Sequence, residues 1–255
     1  MAETENSSFL TPSFIARADG IRLAFRFNPG TGPLVVFLPG YKSDMEGGKA
    51  QAVFAHMRGT GRACLLLDYS GCGSSEGAFE DGTLDSWRDD VILLIDHLWP
   101  EGAVVPVGSS MGGWLALLVA LRLGLRATGL VGIAAAPDFT SWGFTDAQKS
   151  QLRDKGRLIE PSDYDDDGYV TTLGFWLSGE AHLLLDRPIN LTCPVRFVHG
   201  QRDDVVPWEI ALRAAAALRS DDVQTLFIKD GDHRLSRDGD IALLLNVIDE
   251  LLETI

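Results

Sequence analysis

Six short apolar runs punctuate this chain, and each stops at or just before a glycine, proline or aspartate. Leu34–Leu38 stops at Pro39-Gly40, Ala63–Leu67 at Asp68, and Val104–Val107 at Gly108. Leu130–Ala134 leads to Pro137, Val195–Val198 to His199-Gly200, and Thr225–Ile228 to Asp230-Gly231. Continuous runs of this length suit strands covered on both faces, as in a parallel sheet. A seventh segment, Ile21–Phe27, alternates in character and reads as an edge-type strand. Between the runs lie helical patterns over Gly47–Arg58, Thr83–Leu98, Met111–Leu123, Pro207–Leu218 and Arg237–Leu252. Pro207 suits a first helical turn, where its missing N–H is not needed. This alternation predicts an α/β fold with a mostly parallel, doubly wound sheet flanked by helices.

One segment breaks the rhythm. Asp138–Asn190 has no clear strand and carries Trp142, Phe144, Tyr164, Tyr169, Phe175 and Trp176. It is too long and too aromatic for a bare loop, so it reads as a cap inserted after the strand ending near Ala136. Its aromatic residues pack the cap onto the body, line a substrate site, or do both.

The 255 residues fit one large domain, placed at 14–255, behind a polar tail at 1–13. The tail has neither the apolar core of a signal peptide nor the arginines of a transit peptide, which points to the cytoplasm. No apolar run approaches the roughly 18 residues of a membrane span. The formal net charge of −14 disfavours nucleic acid and anionic bilayers as partners. Three dispersed cysteines, Cys64, Cys72 and Cys193, suggest neither a disulfide framework nor a zinc knuckle, and none lies in an activating motif. The oligomeric state is not set by any of these features.

The chemistry gathers where the predicted strands end, the place where open parallel sheets hold their ligands. Gly108-Ser109-Ser110-Met111-Gly112 has the form G-x-S-x-G between a strand and a helix. In that setting the middle serine, Ser110, is a nucleophile on a tight turn. Flanking glycines let strand and helix approach, and the N–H of Met111 faces a developing oxyanion. Ser109 has the wrong spacing and reads as a small residue filling the turn.

A serine nucleophile needs a base, and the base needs an orienting acid, here in the chain order Ser, Asp, His. His233, in Asp230-Gly231-Asp232-His233, is the candidate base. His56 and His97 fall on helices and His182 in the insertion, so they read as solvated or capping side chains. His199 reads as structural, hydrogen-bonded beside the acid loop. In His199-Gly200-Gln201-Arg202-Asp203-Asp204 the favoured acid is Asp203, three residues after the glycine, with Asp204 as its alternative. The loop Pro39-Gly40-Tyr41-Lys42-Ser43 supplies the second oxyanion donor, the N–H of Tyr41. The Tyr41 side chain either lines an acyl pocket or covers the loop.

Two strings resemble ligand motifs and are rejected. Gly71-Cys72-Gly73-Ser74-Ser75-Glu76 has Glu76 where a dinucleotide fingerprint needs glycine. Asp163–Gly168 opens like a calcium loop, but its twelfth position is Gly174 instead of a bidentate glutamate. Neither a cofactor nor a metal is expected.

Taken together, Phe37-Leu38-Pro39-Gly40, Asp68–Ser75, Gly108–Leu115, Cys193–Arg196, His199-Gly200 with Asp203, Val206-Pro207-Trp208 and Asp232-His233-Arg234 resemble the α/β-hydrolase superfamily. Within it they are most similar to the mitochondrial palmitoyl-protein thioesterases, also described as mycophenolic acid acyl-glucuronide esterases. The likeness runs from about Leu34 to near the C-terminus. It implies the α/β-hydrolase fold, a Ser110–Asp203–His233 triad, and cleavage of S-acyl cysteine or acyl esters. Without a presequence, the chain looks like a bacterial or cytosolic relative. The expected function is a serine hydrolase acting on small or protein-linked acyl thioesters or esters. The alternatives are an amide or peptide hydrolase using the same triad, and a non-catalytic binding protein on the same fold.

Overall fold

The computed structural model describes residues 11–160 and 168–255. Its first strands are β1 (Ser13–Ala16), β2 (Arg22–Asn28), β3 (Thr31–Leu38), β4 (Arg62–Leu67), β5 (Val104–Ser109) and β6 (Leu130–Ile133). A hairpin, β7 (Arg157–Glu160) and β8 (Tyr169–Thr172), comes next, and then β9 (Val195–Gly200) and β10 (Val223–Ile228). Eight strands form one sheet in the order β1-β2-β4-β3-β5-β6-β9-β10. From β4 to β10 all neighbours are parallel, while β2 runs antiparallel to both β1 and β4.

Side chains on a strand alternate between faces, so a run that is apolar throughout must be covered twice. In β3, Leu34, Val36 and Leu38 join one core with Trp87, Leu94, Trp114 and Leu117, whereas Val35 and Phe37 join another with Val53, Met57, Val247 and Leu251. The first core is covered by α2 (Leu84–Leu98), α3 (Met111–Leu123) and α7 (Glu209–Ala217), the second by α1 (Gly48–Gly59) and α8 (Asp238–Thr254). Every residue of α3 from Met111 to Ala120 is buried, as befits a helix enclosed on all sides.

Three details differ from expectation. The edge of the sheet is β1, so the Ile21–Phe27 segment lies one strand inside it. Two of the polar residues of β2 are accordingly buried: Arg26 pairs with Glu46 at 2.5 Å, and the Asn28 amide donates to the Arg62 carbonyl at 2.8 Å, while Arg22 at the start of the strand is exposed. Pro207 lies two residues ahead of α7 rather than in its first turn, with its carbonyl accepting from the Ile210 N–H at 2.9 Å.

The inserted segment does contain strands, the antiparallel β7–β8 hairpin, set among α4 (Phe139–Trp142), α5 (Asp146–Lys155) and α6 (Leu173–Ala181). Leu152, Leu158 and Trp176 form a small core of its own, against which Phe144 and Leu173 pack. Phe139 and Phe175 face the body instead, meeting Tyr41, Trp87 and Trp114. Both stems of the insertion are tied by one carboxylate: Asp138, buried and left-handed at φ 61°, accepts from the Leu184 and Leu185 N–H groups at 2.8 Å each. Tyr164 and the acidic string resembling a calcium loop, up to residue 167, fall outside the described residues.

Candidate active site

The turn from β5 into α3 is built by exclusion of side chains. A Cβ on Gly108 would stand 2.0 Å from the Gly112 carbonyl oxygen, and one on Gly112 would stand 2.0 Å from the Leu38 carbonyl oxygen of β3. Only glycine fits at either position, which is why the motif brackets its serine with them. Ser110 between them is forced to φ 55° and ψ −122°. Its N–H donates to the Ile133 carbonyl, and its own carbonyl accepts from Gly113 and Ala136, all within 3.0 Å. Those bonds hold a conformation that costs an ordinary residue about 1–3 kcal/mol. Ser109 ends β5 as a buried side chain, in keeping with a filling role.

The two distant loops meet Ser110. His233 Nε2 lies 3.1 Å from Ser110 Oγ, and His233 Nδ1 lies 2.8 Å from Asp203 Oδ2. Asp203 Oδ1 accepts from the Val205 and Val206 N–H groups at 2.9 and 2.8 Å. Burial of this carboxyl would raise its pKa. Hydrogen bonds from His199, His233 and the Val206 N–H outweigh the burial and hold it well below the usual carboxylate range. Asp204 is exposed and takes no part. The acid loop and the histidine loop are locked together, since Arg202 N–H donates to the Gly231 carbonyl at 2.9 Å and a Cβ on Gly200 would collide with that same carbonyl. His199 is fully buried beside them, as expected.

The Gly40–Tyr41 turn abuts the serine: a Cβ on Gly40 would sit 3.3 Å from the Ser110 Cβ. The Met111 N–H, in the first turn of α3, has no partner within its helix. The Tyr41 side chain turns away into the aromatic cluster of Phe79, Trp87, Phe139 and Phe175, and its hydroxyl donates to the Val170 carbonyl of β8 at 2.7 Å. It therefore covers the loop and fastens it to the cap. Beyond it, a cavity of about 320 Å³ lies between the loop residues Lys42, Ser43 and Asp44, the Gly71–Gly73 turn, Phe79 and Tyr169. Ser110 and His233 do not line it.

The glycine-rich string after β4 has a structural explanation. It wraps the buried Asp68, whose carboxylate accepts from the Met45 and Ser74 N–H groups at 2.7 and 2.8 Å. Only glycine fits at position 73, since a Cβ there would strike that carboxylate at 2.3 Å. The cysteines are not nucleophiles in waiting: burial pushes the Cys72 thiol up to about 12 and raises Cys64 and Cys193 as well.

Other polar groups were not foreseen. His182, expected to be a solvated or capping side chain, meets Asp85 of α2 at 2.6 Å, and Ser178 Oγ donates to the same carboxylate at 2.7 Å, clamping α6 to the body. His56 reaches Asp249 of α8 at 2.7 Å. The anchor Asp138 was missed too. Each depends on a partner tens of residues away, and nothing local in the sequence marks it.

A strained serine at a strand-to-helix turn, with histidine and aspartate delivered by the last two strands, defines the α/β-hydrolase architecture. The chain belongs to the α/β-hydrolase family, whose model matches residues 35–243. It is 39% identical to the mitochondrial palmitoyl-protein thioesterase ABHD10 of Homo sapiens over 94% of this chain and 80% of the human protein. The structure of mouse α/β-hydrolase domain-containing protein 10 superposes with a TM-score of 0.88 at 38% identity, covering 96% of this chain and 99% of the mouse chain. A putative hydrolase from Agrobacterium vitis S4 gives 0.87 at 34% identity, with 94% and 97% covered. The hydrolase assignment thus has thioesterase relatives behind it. Among the described residues, no helix is long and apolar enough to cross a membrane.

Proposed function

We propose that this chain is a serine hydrolase that cleaves acyl thioesters and esters through an acyl-enzyme on Ser110. The observation that carries the reading is the continuous chain from Ser110 Oγ to His233 at 3.1 Å and on to Asp203 at 2.8 Å. In this mechanism His233 Nε2 accepts the Ser110 proton as Oγ attacks the acyl carbonyl. The N–H groups of Met111 and Tyr41 receive the oxyanion, each lowering the barrier by roughly 3 kcal/mol. Collapse breaks the carbon–sulfur or carbon–oxygen bond, and His233 passes its proton to the departing thiol or alcohol. A water, deprotonated by the same imidazole, then releases the acid and restores Ser110.

The preference for thioesters comes from the names of the relatives. A fluorophosphonate probe should label Ser110 in the wild type and fail on Ser110→Ala. Absence of labelling, or equal labelling of both, overturns the proposal. Matched thioester, ester and amide substrates should then turn over in that order. A cytoplasmic location belongs to the same proposal; the name of the human thioesterase places that relative in mitochondria, and cell fractionation against compartment markers distinguishes the two.

A further inference from the structure

We propose that His199 is a positioning residue for the acid of the triad, holding the Asp203 carboxylate in the orientation that His233 needs. The inference rests on reading Ser110, His233 and Asp203 as that triad. His199 is the penultimate residue of β9, one strand in from the edge of the sheet, with none of its surface exposed. Its Nε2 lies 3.1 Å from the Val206 carbonyl oxygen and 3.2 Å from Asp203 Oδ2. Both neighbours are acceptors, so the proton of this imidazole is on Nε2. Nδ1 makes no hydrogen bond, so the ring has no competing tie that would turn it.

The contact acts on the carboxylate from two directions. The Nε2–H sits beside Oδ2, the same oxygen that accepts from His233 Nδ1. It also holds the carbonyl of Val206, the same residue whose N–H, one peptide earlier, binds Oδ1 at 2.8 Å. A carboxylate can rotate about its Cβ–Cγ bond, and each N–H removed widens the range of orientations it visits. His199 therefore narrows the angle at which Oδ2 meets the catalytic imidazole, without touching the substrate. Proximity of this kind is worth most when the positioned group acts through a second one, since small misplacements multiply along the chain.

His199→Gln and His199→Asn separate this role from simple packing. Both bury a side-chain amide, but only the glutamine nitrogen reaches the position of Nε2. Rates on a p-nitrophenyl ester are to be divided by the number of sites titrated with fluorophosphonate. In His199→Asn, kcat per titrated site should fall about tenfold with KM within about twofold, the loss of one hydrogen bond to a charged group. His199→Gln should keep at least roughly a third of the wild-type kcat on the same reasoning. Equal kcat in Asn and wild type, equal losses in Gln and Asn, or a loss confined to KM or to the titrated fraction overturns the proposal. A measurement on the unaltered protein does not depend on either variant folding: ¹⁵N imidazole spectra should show His199 protonated on Nε2. A proton on Nδ1 alone would leave nothing to donate to Asp203 and overturns it as well. Wild type that fails to label with the probe overturns the underlying triad, whereas normal labelling with indifferent variants overturns only the role of His199.

Discussion

At the scale of single residues, the site is shaped by what cannot be present. The positive φ of Ser110 persists because Gly108 and Gly112 let three backbone segments converge on it. Gly112→Ala should destabilise the fold by about 3 kcal/mol or more, because the obstructing atom is the Leu38 carbonyl of the central strand β3 and cannot yield as a side chain would. Gly239→Ala in α8, where a Cβ meets nothing within 4 Å, is the control and should cost nothing. Urea midpoints of the two variants check the contrast. Asp203 gives a prediction in pH. Its folded carboxyl titrates below the ordinary range, so the unfolded chain binds a proton first on acidification. The stability it contributes is complete above an ordinary carboxyl pKa of about 3.9 and is lost as pH falls through the lower folded value. Asp203→Asn should therefore be less stable than wild type at neutral pH, with the gap closing below about pH 4. It should also lose activity by a factor on the order of 10³ or more, because the imidazole loses the acceptor that fixes its tautomer. A gap that is unchanged from pH 6 to 3 would contradict the assignment of this carboxylate.

At the scale of elements, what could be read in the sequence divides along a physical line. Strands buried on both faces are legible because most of their residues are apolar, so β4, β5, β6 and β9 appear as runs within two residues of their observed ends, and β3 as a run that starts three residues late. The proposed triad residues Ser110, Asp203 and His233 could be picked out because each follows a predicted strand run, the last of them the partly buried β10. β1 was missed because it is four residues long and largely exposed at an edge, where no face demands a pattern. The cap hairpin was missed because β7 and β8 bury one side chain each, Leu158 and Thr171. The cap is held by long-range contacts that composition does not register. Tyr41→Phe tests one of them. It deletes the bond from the Pro39–Ser43 loop to the Val170 carbonyl but keeps the ring in its aromatic cluster. The expected loss is about 1 kcal/mol of stability. Hydrogen exchange should quicken in β7 and β8 while the rates in the main sheet stay unchanged. Uniform acceleration across both would mean that the cap and body open as one unit. Trp176→Ala, which empties the small core of the cap and removes the indole bond to the Thr140 carbonyl, should cost about 3–5 kcal/mol, read by denaturant titration and by faster proteolysis within 138–190.

At the scale of the whole molecule, 36 acidic residues against 22 basic ones give a formal net charge of −14 and so a net negative field. If the reaction is thioester cleavage, that field acts differently on different leaving groups. An acyl-CoA carries several phosphate charges and is repelled during approach, whereas a neutral p-nitrophenyl ester is not. Salt screens the repulsion: the Debye length falls from about 30 Å at 0.01 M to about 8 Å at 0.15 M, shorter than the dimensions of the protein. Over that range kcat/KM for an acyl-CoA should rise a few-fold, roughly the scale of long-range steering, while the neutral ester stays flat. The effect should lie in kcat/KM and not in kcat, because the field acts on encounter and the chemistry happens at a pair of groups in contact. An opposite trend, with acyl-CoA turnover falling as salt is added, would mean that a local cationic patch at the mouth overrides the global charge. Lys42, next to Tyr41 in the Pro39–Ser43 loop and bordering the cavity, is the group to substitute in that event. A neutral S-acyl peptide separates the reaction from the field, since it presents the same thioester without the phosphates and should follow the flat salt profile of the ester.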